Sequence, residues 1–386
     1  MIFSVISIIL VLTLAYSLVL YVPVLAILSK LFKKSPIQNS DFKPNLTFLI
    51  AAYNEEKYIA DALRSISELN YDISKIQVLV GSDGSSDRTV EVANSFASKF
   101  NDFKVLDLQR GGKNNVLNSL YPHIHNDFVY IIDADFRLTP NSINESVKYF
   151  ADPNVGAIIS KLDILSQDDD ENAGVVGEGA YQKIDNYIKL KESEIWTTVN
   201  NFGCYGIRRE LISQIPNNKV CDDMYNILQV AAHGKRAIIT NDSVVNEVRE
   251  KMSAEEVNRR KRIYSGSIST MFAVKNILNP GIGWGSYFYF SHRFLRFFYP
   301  IFLILLIILT PFTYFENLPI FFTLAIGQGL MYLFGLIGYL LEKKNIVIKI
   351  FSFPYFFILL NIGYFQGLIQ FFQNKQSAIW ERVDTK

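Results

Sequence analysis

The stretch NDFVYIIDADFR, residues 126–137, decides the fold because it joins a buried strand to a pair of carboxylates. Its apolar run, residues 128–132, is rich in β-branched and aromatic side chains, which is typical of a strand buried on both faces. Asp133 and Asp135 follow that run, and two hard oxygen ligands at a strand end suit Mg²⁺ or Mn²⁺. An Asp-rich turn that caps a helix is the alternative, and this stretch alone favours neither.

The composition separates a charged middle from two apolar ends. Of the 386 residues, 49% are hydrophobic, and the mean hydropathy of +0.16 is high for a wholly soluble protein. The net charge of +1 gives no sign of a nucleic-acid partner. The middle, residues 41–277, holds Cys204 and Cys221, whose number and spacing match neither a disulfide framework nor a zinc site. We therefore expect reduced thiols in a cytosolic domain.

The N-terminal end predicts a membrane anchor. Residues 2–28 are almost continuously hydrophobic and carry no charge, and a bilayer core needs about 20 such residues. A basic start and a small-residue cleavage site are not evident, so we predict an uncleaved anchor over residues 1–29 rather than a signal peptide. Lys30, Lys33 and Lys34 follow at once, which by the positive-inside rule places the next domain on the cytoplasmic side of the cell (inner) membrane.

The C-terminal end predicts a multi-pass membrane protein. Residues 253–293 are basic and then aromatic, which favours an amphipathic segment at the membrane interface. Within residues 294–372 lie three apolar stretches, at 294–315, 318–341 and 348–372, and a tail covers 373–386. The last stretch contains Pro354, and the sequence leaves open whether it crosses the membrane or folds back.

Strands and helices alternate from residue 46 onward. The predicted strands begin at residues 46, 76, 103 and 128, and the predicted helices cover 60–69, 90–100 and 114–121. This order predicts the α/β class, with a Rossmann-like, mostly parallel sheet in a domain over residues 41–252. Ligands of such sheets bind beyond the carboxyl ends of the strands, where the polar loops of this chain fall.

The second half of this domain is less regular. We predict a strand pair in residues 155–165, helices over 175–194 and 221–233, and a strand over 236–240. The acidic run DDDEN, residues 168–172, is expected to be a solvated loop, with a metal site as the alternative.

Five motifs in order resemble those of the family 2 glycosyltransferases, which are inverting enzymes of the GT-A fold. They are AAYNEE (51–56), SDGSSDRT (82–89), GGKNNVLN (111–118), DAD (133–135) and CDDMYNILQV (221–230). The resemblance covers residues 46–266, and the apolar ends fit the membrane-integrated branch of the family that makes polysaccharides.

The resemblance implies a nucleotide-sugar donor, with a UDP-sugar expected, and a divalent cation, Mg²⁺ or Mn²⁺, on Asp133 and Asp135. Asp83 would accept the imide N–H of a uracil-type base, and a helix-capping turn carboxylate is its alternative. Lys113 would offset the diphosphate charge, and a solvated surface lysine is its alternative. The residues expected at the donor are Ala52, Tyr53, Glu55, Asp83, Lys113, Asp133, Ala134 and Arg262.

The resemblance also implies a general base on the last motif. Asp223 is expected to take the proton of the acceptor hydroxyl as that oxygen attacks the anomeric carbon. Asp222 is expected to be the N-cap of the following helix, although either carboxylate can serve as the base. A single in-line displacement of this kind inverts the anomeric centre.

The segment NNFGCYGIRRE, residues 200–210, resembles the acceptor site of the family. Gly203, Cys204 and Tyr205 are expected to line that site. A small-residue turn leading into a basic strand end is the alternative. No neighbour in the sequence marks Cys204 as a nucleophile.

The stretch RRKRIYSG, residues 259–266, departs from the pattern of processive relatives, which carry Gln-x-x-Arg-Trp. Arg262 matches the arginine, whereas Arg259 replaces the glutamine and Ile263 the tryptophan. Arg262 is expected either to contact the diphosphate or to face anionic lipid headgroups, and the sequence favours neither.

These observations predict a membrane-embedded, metal-dependent inverting glycosyltransferase. Its acceptor is expected to be a lipid-linked molecule or a glycan of the cell surface. A processive polysaccharide synthase with export is the alternative within this class, and a catalytically inactive scaffold of a glycan-synthesis complex is the alternative outside it. The sequence does not predict the oligomeric state.

Overall fold

The computed structural model describes residues 1–166, 173–200, 203–216, 220–249, 255–344 and 346–373. The acidic run 168–172 and residues 374–386 of the predicted tail lie outside these residues.

Within the described residues, the polar middle of the chain is built on one eight-stranded sheet. The strands are β1 (Leu46–Ala52), β2 (Ile76–Asp83), β3 (Asp102–Leu108), β4 (Phe128–Asp133), β5 (Phe136–Leu138), β6 (Val155–Ser166), β7 (Cys204–Arg208) and β8 (Arg236–Arg249). Their order is β3-β2-β1-β4-β7-β6-β8-β5, and β7 runs antiparallel to both of its neighbours. The predicted α/β class and mostly parallel sheet are confirmed.

Helices cover both faces of the sheet and form the apolar ends. They are α1 (Ile2–Ala15), α2 (Tyr21–Leu31), α3 (Ile59–Ser67), α4 (Thr89–Asn94), α5 (Lys113–Leu120), α6 (Ser142–Val147), α7 (Ala173–Ile195), α8 (Asp222–Ala232), α9 (Glu255–Ala273), α10 (Trp284–Phe288), α11 (Tyr299–Thr313), α12 (Leu318–Glu342) and α13 (Lys349–Phe372).

The central strands are apolar on both faces because the sheet separates two cores. Phe48 and Ile50 of β1 point into the core beneath α3, whereas Leu49 and Ala51 point into the core beneath α5 and α8. Side chains alternate between the two faces of a strand, so a strand covered on both sides needs an unbroken apolar run. This requirement explains why β1, β2 and β4 could be predicted from the sequence.

Three elements differ clearly from their predictions. The strand predicted over residues 236–240 is β8, which continues to Arg249. Residues 155–165 form the single strand β6 rather than a strand pair, because β8 pairs with it in parallel along its length. The predicted helix 90–100 ends at Asn94. There the side chains of Asn94 and Ser95 bond back to the carbonyls of Val90 and Val92, and such local bonds compete with helix propagation.

In the part of the chain that the structure describes, four helical segments are long and apolar enough to cross a membrane. They are Ile2–Leu31, Trp284–Thr313, Leu318–Glu342 and Lys349–Phe372. The second begins at Trp284, before the apolar stretch that the sequence predicts from residue 294. The last runs without a break through Pro354. The domain boundaries given above stay predictions.

The last apolar helix packs closely on α9, which lies in the segment predicted at the membrane interface. A side chain on Gly367 would meet the carbonyl oxygen of Lys261 at 2.8 Å. Close to this contact, the ring of Tyr264 stacks on that of Tyr364, with 4.6 Å between centroids. The absence of a side chain at Gly367 therefore lets the two helices approach each other.

Candidate active site

The loops that follow β1 and β2 interlock at the carboxyl edge of the sheet. The amide of Asn54 donates to the hydroxyl of Ser85 over 3.1 Å, and the amide of Glu55 donates to that of Thr89 over 2.8 Å. Asn54 has a φ of 52°, a left-handed conformation that Asn tolerates better than most residues. The first two motifs therefore form one polar surface.

Asp83 holds the turn that precedes Lys113. Its buried carboxylate accepts the amide of Gly111 over 2.7 Å and that of Gly112 over 2.8 Å. The guanidinium of Arg110 pairs with the other carboxylate oxygen at 2.8 Å. Gly112 takes a φ of 87°, which favours glycine, so this turn needs both its glycine and its carboxylate anchor. A contact between Asp83 and a base stays a prediction.

Arg110 also covers the ring of Tyr53. Its guanidinium carbon lies 3.1 Å from the ring centroid. Sequence reasoning did not single out Arg110, although its place directly before the Gly-Gly-Lys motif was a usable signal. Arg110 therefore occupies one face of the Tyr53 ring, and the contact of Tyr53 with a donor stays a prediction. Ala52 and Ala134 are buried, and their contacts with a donor stay predictions.

Lys113 joins the motif predicted to bind a metal, residues 133–135 (the metal motif), to the motif predicted to hold the base, residues 221–230 (the base motif). Its ammonium lies 2.7 Å from Oδ1 of Asp133 and 2.9 Å from Oδ2 of Asp222. Burial by itself would lower the pKa of Lys113, but the charges of Asp133, Asp222 and Asp223 outweigh it and raise the pKa well above its usual value. Lys113 is therefore a permanently charged centre of the site, and it is not a solvated surface residue.

The two carboxylates at the start of α8 have different surroundings. The helix begins at Asp222 with Cys221 as its N-cap, so the prediction that Asp222 is the N-cap is wrong. The carboxylate of Asp222 binds Lys113 instead. Burial and the neighbouring charge of Asp222 raise the pKa of Asp223 to about 6, although Lys113 and the amide of Met224 oppose this rise. Asp223 is thus the carboxylate that exchanges protons near neutral pH.

The oxygen donors after β4 fit a Mg²⁺ or Mn²⁺ ion. Asp133 ends β4, and Asp135 lies in the turn before β5, where its charge acts on Arg137. Within the described ranges, no three His, Cys, Asp or Glu side chains come together as a ligand set. One or two carboxylates completed by water and a diphosphate are the usual ligands of Mg²⁺ at nucleotide sites. The donor chemistry therefore fits a cation that arrives with a nucleotide.

The predicted acceptor residues divide into one at the site and two in the interior. Gly203 has a φ of 41°, and a side chain there would meet Phe136 at 2.6 Å and Oδ2 of Asp133 at 2.9 Å. Cys204 is buried in the core beneath α3, and burial raises the pKa of its thiol to about 12. The buried hydroxyl of Tyr205 accepts a 2.7 Å bond from Asn226 on α8. Acceptor contacts by Cys204 and Tyr205 stay predictions, and their side chains lie in the interior.

Gly203→Ala is expected to lower catalytic turnover by about 100-fold, since displacing a reacting group by about 1 Å costs that much. The new methyl group pushes Asp133 or Phe136 away. Gly234→Ala is the matched control, because Gly234 has a comparable φ of 71° with open space around its Cβ position. Turnover measured on both purified variants checks the prediction, and an equal loss in the two would contradict it.

Helix α9 brings Arg262 towards the base motif. The amide of Cys221 donates to the hydroxyl of Thr270 over 2.9 Å, and its thiol contacts the carbonyl of Ile263 at 3.6 Å. Burial raises the pKa of Cys221 to about 12, and the charge of Arg262 opposes that rise. Arg262 is exposed, so both of its predicted roles, diphosphate contact and lipid contact, stay open to it.

Comparison with known proteins agrees with this site. Residues 47–215 match the family model described as Glycosyl transferase family 2. These residues resemble a family 2 glycosyltransferase domain. The matched residues include four of the five motifs, and the base motif on α8 follows them.

Two curated relatives show similarity in this domain. Poly-beta-1,6-N-acetyl-D-glucosamine synthase of Staphylococcus aureus is 35% identical over 127 residues, which are 32% of this chain and 30% of that protein. Beta-monoglucosyldiacylglycerol synthase of Synechocystis is 28% identical over 149 residues, which are 38% of this chain and 31% of that protein. The similarity thus spans less than a third of each relative's length.

Solved structures show the GT-A fold. The mannosyltransferase PcManGT of Pyrobaculum calidifontis, in complex with GDP-Man and Mn²⁺, has a TM-score of 0.69 at 20% identity. That likeness covers 97% of this chain and 99% of that one. TarS 1–349 of S. aureus, in complex with UDP-GlcNAc, has a TM-score of 0.50 at 14% identity, over 89% of this chain and 95% of that one.

Proposed function

We propose that this protein is a membrane-embedded, metal-dependent inverting glycosyltransferase. It transfers a sugar from a nucleotide-sugar donor, a UDP-sugar, to a lipid-linked or glycan acceptor at the cytoplasmic face of the cell membrane. The observation that carries the proposal is the Lys113 ammonium, which binds both Asp133 of the metal motif and Asp222 beside the base. A binding scaffold would need neither this joined charge centre nor a carboxylate whose pKa lies near 6.

Asp223 is the general base of the proposed reaction. The acceptor oxygen forms a bond to the anomeric carbon as its proton passes to the Asp223 carboxylate. The bond from that carbon to the phosphate oxygen breaks, and its electron pair leaves with the nucleoside diphosphate. A base with a pKa of about 6 is mostly ionised at pH 7 and still binds a proton strongly enough to help.

The remaining charged residues prepare the site for the leaving group. Asp222 and Asp133 fix the position of Lys113, whose charge faces the region where the diphosphate would bind. Asp133 and Asp135 would hold a divalent cation, which supplies electrostatic stabilisation of the departing diphosphate when it is bound. Asp83 sets the Gly111–Gly112 turn that places Lys113 at the start of α5.

Single transfer to a lipid-linked acceptor is the preferred form of this activity. Ile263 stands where processive relatives have a tryptophan that would stack on the acceptor sugar. The Synechocystis relative is named as a synthase of a glycolipid, which supports this form. The S. aureus relative is named as the synthase of a polymer, and it supports a processive synthase as the second candidate.

A donor panel tests the proposed function. The full chain, purified in lipid nanodiscs, is incubated with radiolabelled UDP-GlcNAc, UDP-glucose or GDP-mannose and with lipids extracted from the expressing host. We expect label from one UDP-sugar in the lipid fraction. Label in material of high molecular weight would favour the processive synthase. Tight nucleotide binding without release of any diphosphate would favour the scaffold and overturn the proposal.

Removal of the cation is expected to stop transfer. EDTA should lower the rate by at least about 100-fold, because a metal at a departing oxygen contributes several kcal/mol to the transition state. Mn²⁺ or Mg²⁺ should restore the rate, and Asp133→Asn should raise the metal concentration needed for half of the maximal rate. Asp107→Asn, on the exposed side of β3, is the control. Full activity in EDTA would contradict metal dependence.

A further inference from the structure

A cluster of buried polar side chains lies where the polar domain meets the apolar helices. We call Tyr21, Asp185, Lys189, Glu192, Asn200 and His292 the junction cluster. Each is at most 2% exposed. Tyr21 belongs to the apolar segment Ile2–Leu31 and His292 to Trp284–Thr313, whereas Asp185, Lys189 and Glu192 lie on α7. The cluster thus joins two candidate membrane helices to the polar domain.

Glu192 binds both of those helices and the chain that leads to β7. Its Oε1 accepts the hydroxyl of Tyr21 over 2.8 Å and lies 3.1 Å from Nδ1 of His292. Its Oε2 accepts the hydroxyl of Thr198 over 2.8 Å. A carboxylate with three such partners fixes all of them with respect to α7.

Asp185 holds Asn200, which follows in the same segment. Its carboxylate accepts the side-chain amide of Asn200 over 2.9 Å and pairs with Lys189 at 2.9 Å. Nε2 of His292 lies 3.7 Å from it. The charge of Lys189 lowers the pKa of Asp185 although burial opposes this, so Asp185 stays ionised.

Burying these charges costs free energy of desolvation, and apolar side chains would attach the helices at a lower free-energy cost. What the polar cluster adds is a fixed geometry for residues 198–200. Three residues after Asn200 comes Gly203, whose Cβ position lies 2.9 Å from the carboxylate of Asp133. Contacts therefore run from the apolar helices through Glu192 and Asp185 to Thr198 and Asn200, and the chain leads from Asn200 to Gly203 at the edge of the catalytic site.

We propose that Glu192 and Asp185 are positioning residues, which lock the acceptor segment to the membrane helices through Tyr21 and His292. The acceptor then meets Asp223 only while the membrane helices are docked. This inference rests on the proposed transfer function. It assigns the cluster to placement of the acceptor, not to donor binding or to the chemical step.

The test compares His292→Leu with His292→Asn in the full chain in nanodiscs. Asparagine keeps a donor near the position of Nδ1, whereas leucine removes it. For His292→Leu we expect a 10- to 100-fold lower kcat/KM for transfer to the lipid extract. A loss of this size corresponds to the free energy that a hydrogen bond to a charged group contributes. Hydrolysis of the same donor by water should change by less than about twofold, because it needs no acceptor segment. His292→Asn should recover most of the transfer.

Hydrogen–deuterium exchange gives a second readout that does not depend on turnover. In His292→Leu, exchange should rise in residues 197–200 and stay unchanged in β1. Tyr21→Phe removes one hydroxyl without altering the packing of the ring, so it replaces His292→Leu if that variant does not fold. Its effects should have the same direction and smaller size.

The outcomes separate this inference from the proposed function. Parallel losses of transfer and hydrolysis, or unchanged exchange in residues 197–200, would overturn the positioning role. A wild-type protein that transfers no sugar from any donor would overturn the proposed function, while the exchange comparison would still show whether the junction cluster holds this segment.

Discussion

Asp223→Asn is expected to lower the rate of sugar transfer by about 1000-fold, within the range that a general base contributes. The amide has the size of the carboxylate but cannot take the proton of the acceptor hydroxyl. Donor binding should stay unchanged, because the ion pairs of Lys113 with Asp133 and Asp222 stay in place. Turnover and nucleotide affinity measured on the same preparation check both parts.

Asp222→Asn is the matched control, with the same chemical change one residue away on the same helix. It removes a partner of Lys113 but leaves the base, so we expect a loss of about tenfold. Similar losses in the two variants would show that both carboxylates only hold Lys113. A larger loss of activity in Asp222→Asn would show that Asp222, rather than Asp223, is the general base.

Lys113→Met should lower kcat/KM at pH 7 by about 100-fold, since it removes the cation that two carboxylates share. It should also shift the pH dependence. Lys113 lowers the pKa of Asp223, so its loss raises that pKa, and the acidic limb of the kcat/KM profile moves above pH 6. Asp222 raises the same pKa, so Asp222→Asn should move the limb in the opposite direction.

The pH–rate profiles of the wild-type protein and the two variants measure these shifts. In the wild type, activity should rise through about pH 6, because Asp223 acts only when it is ionised. Lys104→Met, which changes an exposed residue of β3, should leave the profile unchanged. Shifts of the same sign in Lys113→Met and Asp222→Asn would contradict the assignment of Asp223.

The sequence predicted those elements whose local residue pattern is compatible with only one type of secondary structure. The apolar runs of β1, β2 and β4 exceed what a half-buried strand needs, and the carboxyl ends of parallel strands meet at one edge. These two facts suffice to bring Asp133 near the loop of Asp83. They do not specify that the ammonium of Lys113 reaches Asp133 and Asp222 together, because this depends on where α5 and α8 start.

The parts that sequence reasoning missed depend on distant pairing. Cys204 points into the core because β7 runs antiparallel beside β4, where Ile132 pairs with Cys204. Neither strand encodes that register by itself, and a shift of one residue would exchange the faces. The full length of β6 depends in the same way on β8, whose sequence is 70 residues or more away along the chain.

The ammonium of Lys113, which Asp133 and Asp222 share, also affects the order in which the ligands bind. The ammonium of Lys113 faces three carboxylates, those of Asp133, Asp222 and Asp223. The negative charges therefore exceed the positive charge, and the resting pocket is electronegative at neutral pH. Such a field draws in cations and repels a free nucleotide diphosphate. We therefore expect loading to be sequential, with the divalent ion preceding the nucleotide or escorting it. A calorimetric titration of UDP in EDTA that showed tight binding would contradict that order.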